Sequence, residues 1–132
     1  MLCGRSPMEV VKVSSVIPKE TVRYFRDAVI AHNSGQTLAG LFLLRVFVEQ
    51  FWKSVPEVVA ALSTNPRPSG DELGEAYKGT LPTDFKARFP SLSEIYEDLS
   101  NALHSAKADA DLFQQSHAQI VKHFDARRLF DI

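Results

Sequence analysis

The sequence predicts an all-α protein with four main helices and one or two short helices between the second and the third. Apolar residues recur at helical spacing along most of the chain. Two capping boxes mark helix starts in its second half. Alternation typical of a strand is confined to residues 10–16 and has no partner run, so we expect no sheet.

The first two helices are predicted from their ends and their apolar pattern. The run Ile17-Pro18-Lys19-Glu20 opens the first helix, with proline in the first turn, where its missing N–H is not needed. Asn33-Ser34-Gly35 ends that helix. The second helix, residues 36–55, is apolar nearly all round, which indicates a helix at the bundle centre or one that also faces a partner. Pro56 ends it.

The region between the second and third main helices is predicted as short pieces. Residues 56–62 form one helical piece, and 65–70 form a loop rich in proline, serine and glycine. The capping box from Ser69 to Glu72 starts a short helix that stops near Gly79. A further short turn begins at 81–82.

Two longer helices complete the predicted bundle. The capping box from Ser91 to Glu94 starts the third main helix, and Asp109 caps the last one. The predicted buried residues of these two helices are Leu92, Ile95, Tyr96, Leu99, Ala102, Leu103, Phe113, Ile120, Val121 and Phe124.

Length and composition indicate one globular domain. The chain has 132 residues, of which 45% are hydrophobic and 23% charged. We expect a flexible N-terminal leader over residues 1–16 and a single helical domain over 17–132. The leader has no continuous apolar core and therefore does not fit a signal peptide.

Charge and cysteine content exclude several classes of function. The net charge of -1 provides no overall field that would steer the chain onto nucleic acid or an anionic membrane. A single cysteine excludes an intrachain disulfide and a cysteine-based zinc site. The longest apolar stretch, residues 38–48, is shorter than the roughly 20 residues of a membrane span. We therefore expect a cytoplasmic protein with no metal, no cofactor and no membrane partner.

Arg45 and Glu49 are candidate binding residues on the second helix. Their four-residue spacing places them on one face of a helix that is otherwise strongly apolar. Charges on such a helix need a partner or a wet surface. The pair is therefore interpreted either as an ion pair at a seam of the bundle or as part of a polar, partner-facing site.

Glu97, Asn101 and His104 form a second candidate site on the third main helix. At about 100° per residue, they lie on one side of the helix, away from its apolar face. His104 and Asn101 are candidate catalytic residues, because imidazole titrates near neutral pH and an amide can orient it or hold a phosphate. Glu97 is a candidate binding residue. The alternative is a solvated helix face.

The remaining histidines and the C-terminal basic residues are predicted to be structural. His117 falls on the apolar stripe of the last helix and is expected in the core or an interface, while His32 lies near a helix end. His117 and His123 lack the four-residue spacing of paired helical metal ligands. The basic cluster Lys122, His123, Arg127 and Arg128 is interpreted as a solvated C-terminal turn.

Several short motifs together resemble a bacterial helical domain family of unknown function. The motifs are Ile17-Pro18-Lys19-Glu20, residues 28–35, Leu44-Arg45-Val46-Phe47-Val48-Glu49, Leu99-Ser100-Asn101-Ala102-Leu103-His104 and residues 109–124. The family is related to the HEPN helical bundles and is often fused to restriction and other anti-phage proteins. The resemblance, over residues 17–128, implies an HEPN-like up-down bundle and a homodimer.

This chain departs from the pattern of active HEPN ribonucleases. Those enzymes carry an arginine separated from the histidine by four to six residues, and at those positions this chain has Glu97, Asp98 and Leu99. Without that cation, negative charge developing on a phosphate loses its stabilising partner. Arg45 is the one candidate substitute.

Three functions therefore remain as alternatives. The preferred one is a non-catalytic module that dimerises or binds a protein or RNA partner in a defence-type system. The second is a metal-independent ribonuclease that uses His104, helped by Asn101. The third is a small-ligand or nucleotide pocket lined by Arg45, Glu49 and Asn101.

Overall fold

A computed structural model describes residues 11–132, which form seven α-helices and no strand. The all-α prediction is confirmed. Three shorter helices lie between α2 and α6, where one or two were predicted. The helices are α1 Val22–Asn33, α2 Thr37–Ser54, α3 Pro56–Ala61, α4 Gly70–Lys78, α5 Thr83–Arg88, α6 Leu92–His104 and α7 Ala110–Leu129.

Helix α2 is the centre of the bundle. It packs against α1, α3, α4, α6 and α7, and its buried residues lie within one arc of about 140° at 100° per residue. Leu41, Leu44, Phe47, Val48 and Trp52 are all fully buried. The nearly uniform apolar pattern predicted either a helix at the bundle centre or one that also faces a partner, and packing against five other helices places α2 at the centre.

Side-chain caps start three of the later helices at the predicted residues. The Ser69 hydroxyl accepts the Glu72 backbone N–H at 3.1 Å, and the Glu72 carboxylate accepts the Ser69 N–H at 2.9 Å, which completes a capping box. Ser91 and Asp109 each accept a backbone N–H from the residue three positions later. These starts were predictable because the caps are made by residues close in sequence.

The predicted start of the first helix is wrong. Helix α1 begins at Val22, and Pro18 lies in a preceding turn in which the Thr21 N–H donates to the Pro18 carbonyl at 3.2 Å. Ile17 is buried in the core, so the chain turns here to insert its side chain before the helix begins. Residues 1–10 of the predicted leader lie outside the described residues. Val13 and Val16 pack against the core.

Two glycines allow α4 to approach α2 and α6 closely. A Cβ at Gly70 would overlap the Tyr96 ring. A Cβ at Gly74 would lie 2.8 Å from the Ser93 Oγ and 3.0 Å from the Trp52 ring. Both contacts are tighter than ordinary van der Waals packing, so the absence of a side chain on α4 sets its distance from Tyr96 and Trp52.

None of the helices within residues 11–132 is long and apolar enough to cross a membrane.

Candidate functional site

Arg45, Glu49 and Tyr96 form one hydrogen-bonded group between α2 and α6, the Arg–Tyr–Glu group. The Arg45 guanidinium donates to the Tyr96 Oη at 3.1 Å, and the Tyr96 hydroxyl donates to the Glu49 Oε1 at 3.1 Å. The direct Arg45–Glu49 ion pair is longer, at 3.8 Å. The predicted pairing of Arg45 with Glu49 is confirmed, and the Tyr96 hydroxyl bridges the two charges.

The Arg–Tyr–Glu group is only partly shielded from solvent. The side chains of Arg45 and Glu49 are 34% and 27% exposed, whereas Tyr96 is buried. Burial raises the pKa of the Tyr96 phenol, an effect that the Arg45 hydrogen bond partly offsets. The hydroxyl therefore keeps its proton at neutral pH and can donate to Glu49. Tyr96 was expected only as an apolar packing residue of its helix.

One strip of α2 is only partly covered by the other helices. This outer face of α2 consists of Leu38, Phe42, Arg45, Val46 and Glu49, which lie within one arc of the helix at about 100° per residue. Phe42 is 50% exposed, and the other four are partly buried. The outer face therefore combines apolar surface with one cation and one anion.

Two polar atoms at the border of this outer face lack hydrogen-bond partners. They are the buried Ser100 Oγ, one turn after Tyr96 on α6, and the buried Arg45 Nε, whose 3.8 Å contact with the Glu49 Oε1 is too long for a hydrogen bond. Buried polar atoms normally have a partner, and each unpaired one carries a desolvation penalty. The seam between α2 and α6 is therefore incompletely satisfied within the described part of the chain.

The structure places Glu97, Asn101 and His104 on the exposed side of α6. All three side chains are exposed, and His104 is the last residue of the helix. Within residues 11–132, no Arg or Lys side chain is hydrogen-bonded to Asn101 or His104, and the Arg45 guanidinium is directed to Tyr96 and Glu49. Arg45 and Glu49 therefore form an ion pair with each other, and neither side chain is hydrogen-bonded to His104.

A second polar group is buried between α4 and α7. The Tyr77 hydroxyl lies 2.7 Å from the His123 Nε2, the His123 Nδ1 lies 2.9 Å from the Pro90 carbonyl oxygen, and Arg127 donates to the Tyr77 Oη at 2.9 Å. His123 is fully buried. The interpretation of His123 and Arg127 as part of a solvated basic turn is therefore wrong, because both side chains turn inward to Tyr77.

These partners determine the protonation of His123. The Pro90 carbonyl can only accept, so Nδ1 carries the hydrogen and Nε2 accepts the Tyr77 hydroxyl proton. Burial lowers the pKa of His123 to about 4, and the nearby charge of Arg127 acts in the same direction. Burial also raises the pKa of Tyr77 to about 12. Both groups are therefore neutral at pH 7, and Arg127 is the charged member.

The remaining two histidines pack on aromatic rings near the start of α7. His117 is half-buried and stacks on Phe25 at 4.9 Å between ring centroids. Burial lowers the pKa of His117. His32, in the last turn of α1, stacks on Phe113 at 4.1 Å and hydrogen-bonds the Thr37 hydroxyl at 3.0 Å. Both positions agree with the structural interpretation.

A cavity of about 410 Å³ opens between α4, α5 and α6, with Trp52 of α2 among its lining residues. Of the five site residues predicted from the sequence, Glu97 lines this cavity, whereas Arg45, Glu49, Asn101 and His104 do not. The small-ligand pocket predicted around Arg45 and Asn101 is therefore not this cavity. Sequence reasoning missed it, because its walls come from four separate helices.

Within residues 11–132, His, Cys, Asp and Glu side chains form no cluster of three or more that could hold a metal ion. Comparison of the chain with known protein families, with curated proteins and with solved structures finds no match.

Proposed function

We propose that this chain is a non-catalytic module that forms a homodimer through the outer face of α2, within an HEPN-like up-down bundle of a bacterial defence-type system. The observation that carries the proposal is Phe42, which is 50% exposed on the helix that forms the centre of the bundle. Covering half of an aromatic side chain contributes about 2 kcal/mol per protomer. The motif resemblance described above supports the bundle type and the defence context.

A second copy of the chain fits this surface better than a nucleic acid does. An interface around a two-fold axis uses the same patch on both subunits and must therefore complement itself. The outer face carries Arg45 and Glu49 one turn apart, so an antiparallel copy can place unlike charges near each other while the two Phe42 rings become buried. A phosphate backbone would instead meet the carboxylate of Glu49.

Sedimentation velocity over a range of protein concentrations tests the proposal. We expect a dimer, with the dimer Kd raised at least about tenfold by Phe42→Ser, because each dimer loses two buried rings. Val59→Ser is the matched control, since Val59 is an apolar residue that is 54% exposed on α3. A monomer at all concentrations, or equal effects of the two substitutions, would contradict the proposal.

The same preparations test the absence of catalysis. We expect wild type and His104→Ala to leave a panel of structured and single-stranded RNAs intact in EDTA, because the Arg45 guanidinium is bound to Tyr96 and Glu49 and is not directed to His104. Cleavage by wild type that disappears in His104→Ala would replace this proposal with the metal-independent ribonuclease.

A further inference from the structure

Helix α5 and the two residues after it, the α5 segment over residues 83–90, are held to the bundle by few side chains. Helix α5 has six residues, and Phe85 is the only one of them that is buried. Each of the other six helices packs along at least one neighbour, whereas α5 makes no extensive contact with any helix. A segment with so little buried apolar surface can open locally while the remainder of a protein stays folded.

One side chain of α7, His123, fastens the α5 segment at two points. Its ring meets the Phe85 ring edge to face, with 5.1 Å between the ring centroids. Its Nδ1 donates to the Pro90 carbonyl, the last residue of the segment, at 2.9 Å. His123 is itself fully buried, and its Nε2 accepts the Tyr77 hydroxyl at 2.7 Å. The position of the α5 segment therefore depends on a neutral imidazole that donates on one side and accepts on the other.

A proton added to His123 would disrupt this arrangement. Imidazolium carries a hydrogen on both ring nitrogens, so Nε2 could no longer accept the Tyr77 hydroxyl proton. That hydroxyl hydrogen has no other acceptor among the described residues. The new charge would also lie near Arg127, which already donates to the Tyr77 Oη at 2.9 Å. A buried cation beside a second cation is unfavourable unless an anion pairs with it.

The elements around His123 provide no such anion within the described chain. Helix α4 contributes the Tyr77 hydroxyl, α7 contributes the Arg127 charge, and the residues before α6 contribute the Pro90 carbonyl. The charged side chains of α5 are all exposed, and none of them is hydrogen-bonded to or ion-paired with His123: Asp84, Lys86 and Arg88. Hydration is then the one way to stabilise the imidazolium, and it requires an opening beside the ring.

We propose that protonation of His123 releases the α5 segment from α7 while the other helices stay packed. The opening admits water to the imidazolium and uncovers the Phe85 ring. The segment is therefore a strap that the neutral imidazole keeps closed and that acid opens. None of the groups involved belongs to the outer face of α2, so the strap does not depend on dimerisation.

Backbone hydrogen exchange at pH 7.5 and pH 4.5 measures the opening. The reporters are the Lys86 and Phe89 N–H groups, which donate to the Pro82 and Phe85 carbonyls at 3.1 Å. After correction for the intrinsic effect of pH on exchange, we expect their protection to fall at least about tenfold at pH 4.5, because the open form binds a proton that the closed form does not. Both amides should also be less protected than those of α2, and insensitive to low urea, because a local opening exposes little surface.

Two histidine variants test whether His123 is the group that responds. His123→Gln should abolish the fall in α5 protection, whatever its protection at pH 7.5. His117→Gln is the matched control, because His117 is a half-buried histidine of the same helix that stacks on Phe25, and it should keep the wild-type response. Constant α5 protection in wild type, an equal fall in His123→Gln, or exchange of α5 only together with α2 would each overturn the proposal. The wild-type comparison of α5 with α2 decides the question even if His123→Gln does not fold.

Discussion

Replacing His123 with glutamine should remove a large part of the acid sensitivity of this fold. In the folded protein, burial holds the pKa of His123 at about 4, whereas an ordinary histidine titrates at 6.5. Between these values the unfolded chain binds a proton that the folded chain does not. The free energy of unfolding therefore has its full value above pH 6.5, and it decreases as the pH falls toward 4.

The size of the effect follows from the difference in pKa. A gap from 6.5 to about 4 corresponds to about 3 kcal/mol of unfolding free energy, most of which is lost by pH 4.5. Glutamine does not titrate, and its side-chain oxygen can still accept the Tyr77 hydroxyl proton. At pH 7 the variant should be less stable by about 1–3 kcal/mol, because the buried Pro90 carbonyl loses its donor.

Urea unfolding at pH 7.5 and pH 4.5 measures both quantities. We expect wild type to lose at least about 2 kcal/mol more than His123→Gln between the two pH values. His117 and the carboxylates titrate in both proteins, so their contributions cancel in the comparison. Parallel losses in the two proteins would refute the reasoning and would mean that His123 titrates with an ordinary pKa in the folded chain.

Two further substitutions test the packing around the Arg–Tyr–Glu group, with urea unfolding as the measurement. Tyr96→Phe should lower the unfolding free energy by about 1 kcal/mol, because Arg45 and Glu49 lose their bridge but stay partly hydrated; no change would show that water replaces the hydroxyl. Gly70→Ala should cost about 1–3 kcal/mol, because its Cβ overlaps the Tyr96 ring. The control Gly79→Ala has ordinary clearance and should change little, so equal losses would contradict the clash.

The helix boundaries show which features of the fold can be predicted from a few adjacent residues. Ser69, Ser91 and Asp109 each cap a helix through a backbone N–H three residues away, so the signal is contained in a few adjacent residues. Pro18 carried a similar signal, yet its segment forms a turn. Burial of Ile17 in the core outweighs the weak preference of proline for a first helical turn.

The contacts of the candidate site were likewise predictable only where both partners are close in sequence. Arg45 and Glu49 were predictable as a pair because four residues form about one helical turn. Tyr96 lies 47 residues from Glu49, and no sequence pattern marked it as their bridge. His123 was misassigned because neighbouring basic residues suggested a solvated turn, whereas its actual partners are Tyr77 and the Pro90 carbonyl.

The sequence by itself determined that this chain is helical, where most helices begin, and that the second helix lies at the bundle centre or also faces a partner. These properties depend on periodicity and caps, which act over a few residues. Only the tertiary structure decided which polar groups meet, that Phe42 stays exposed, and that the buried indole N–H of Trp52 has no acceptor among the described residues. Those features depend on how helices distant in sequence pack together, and residues so far apart leave no local pattern.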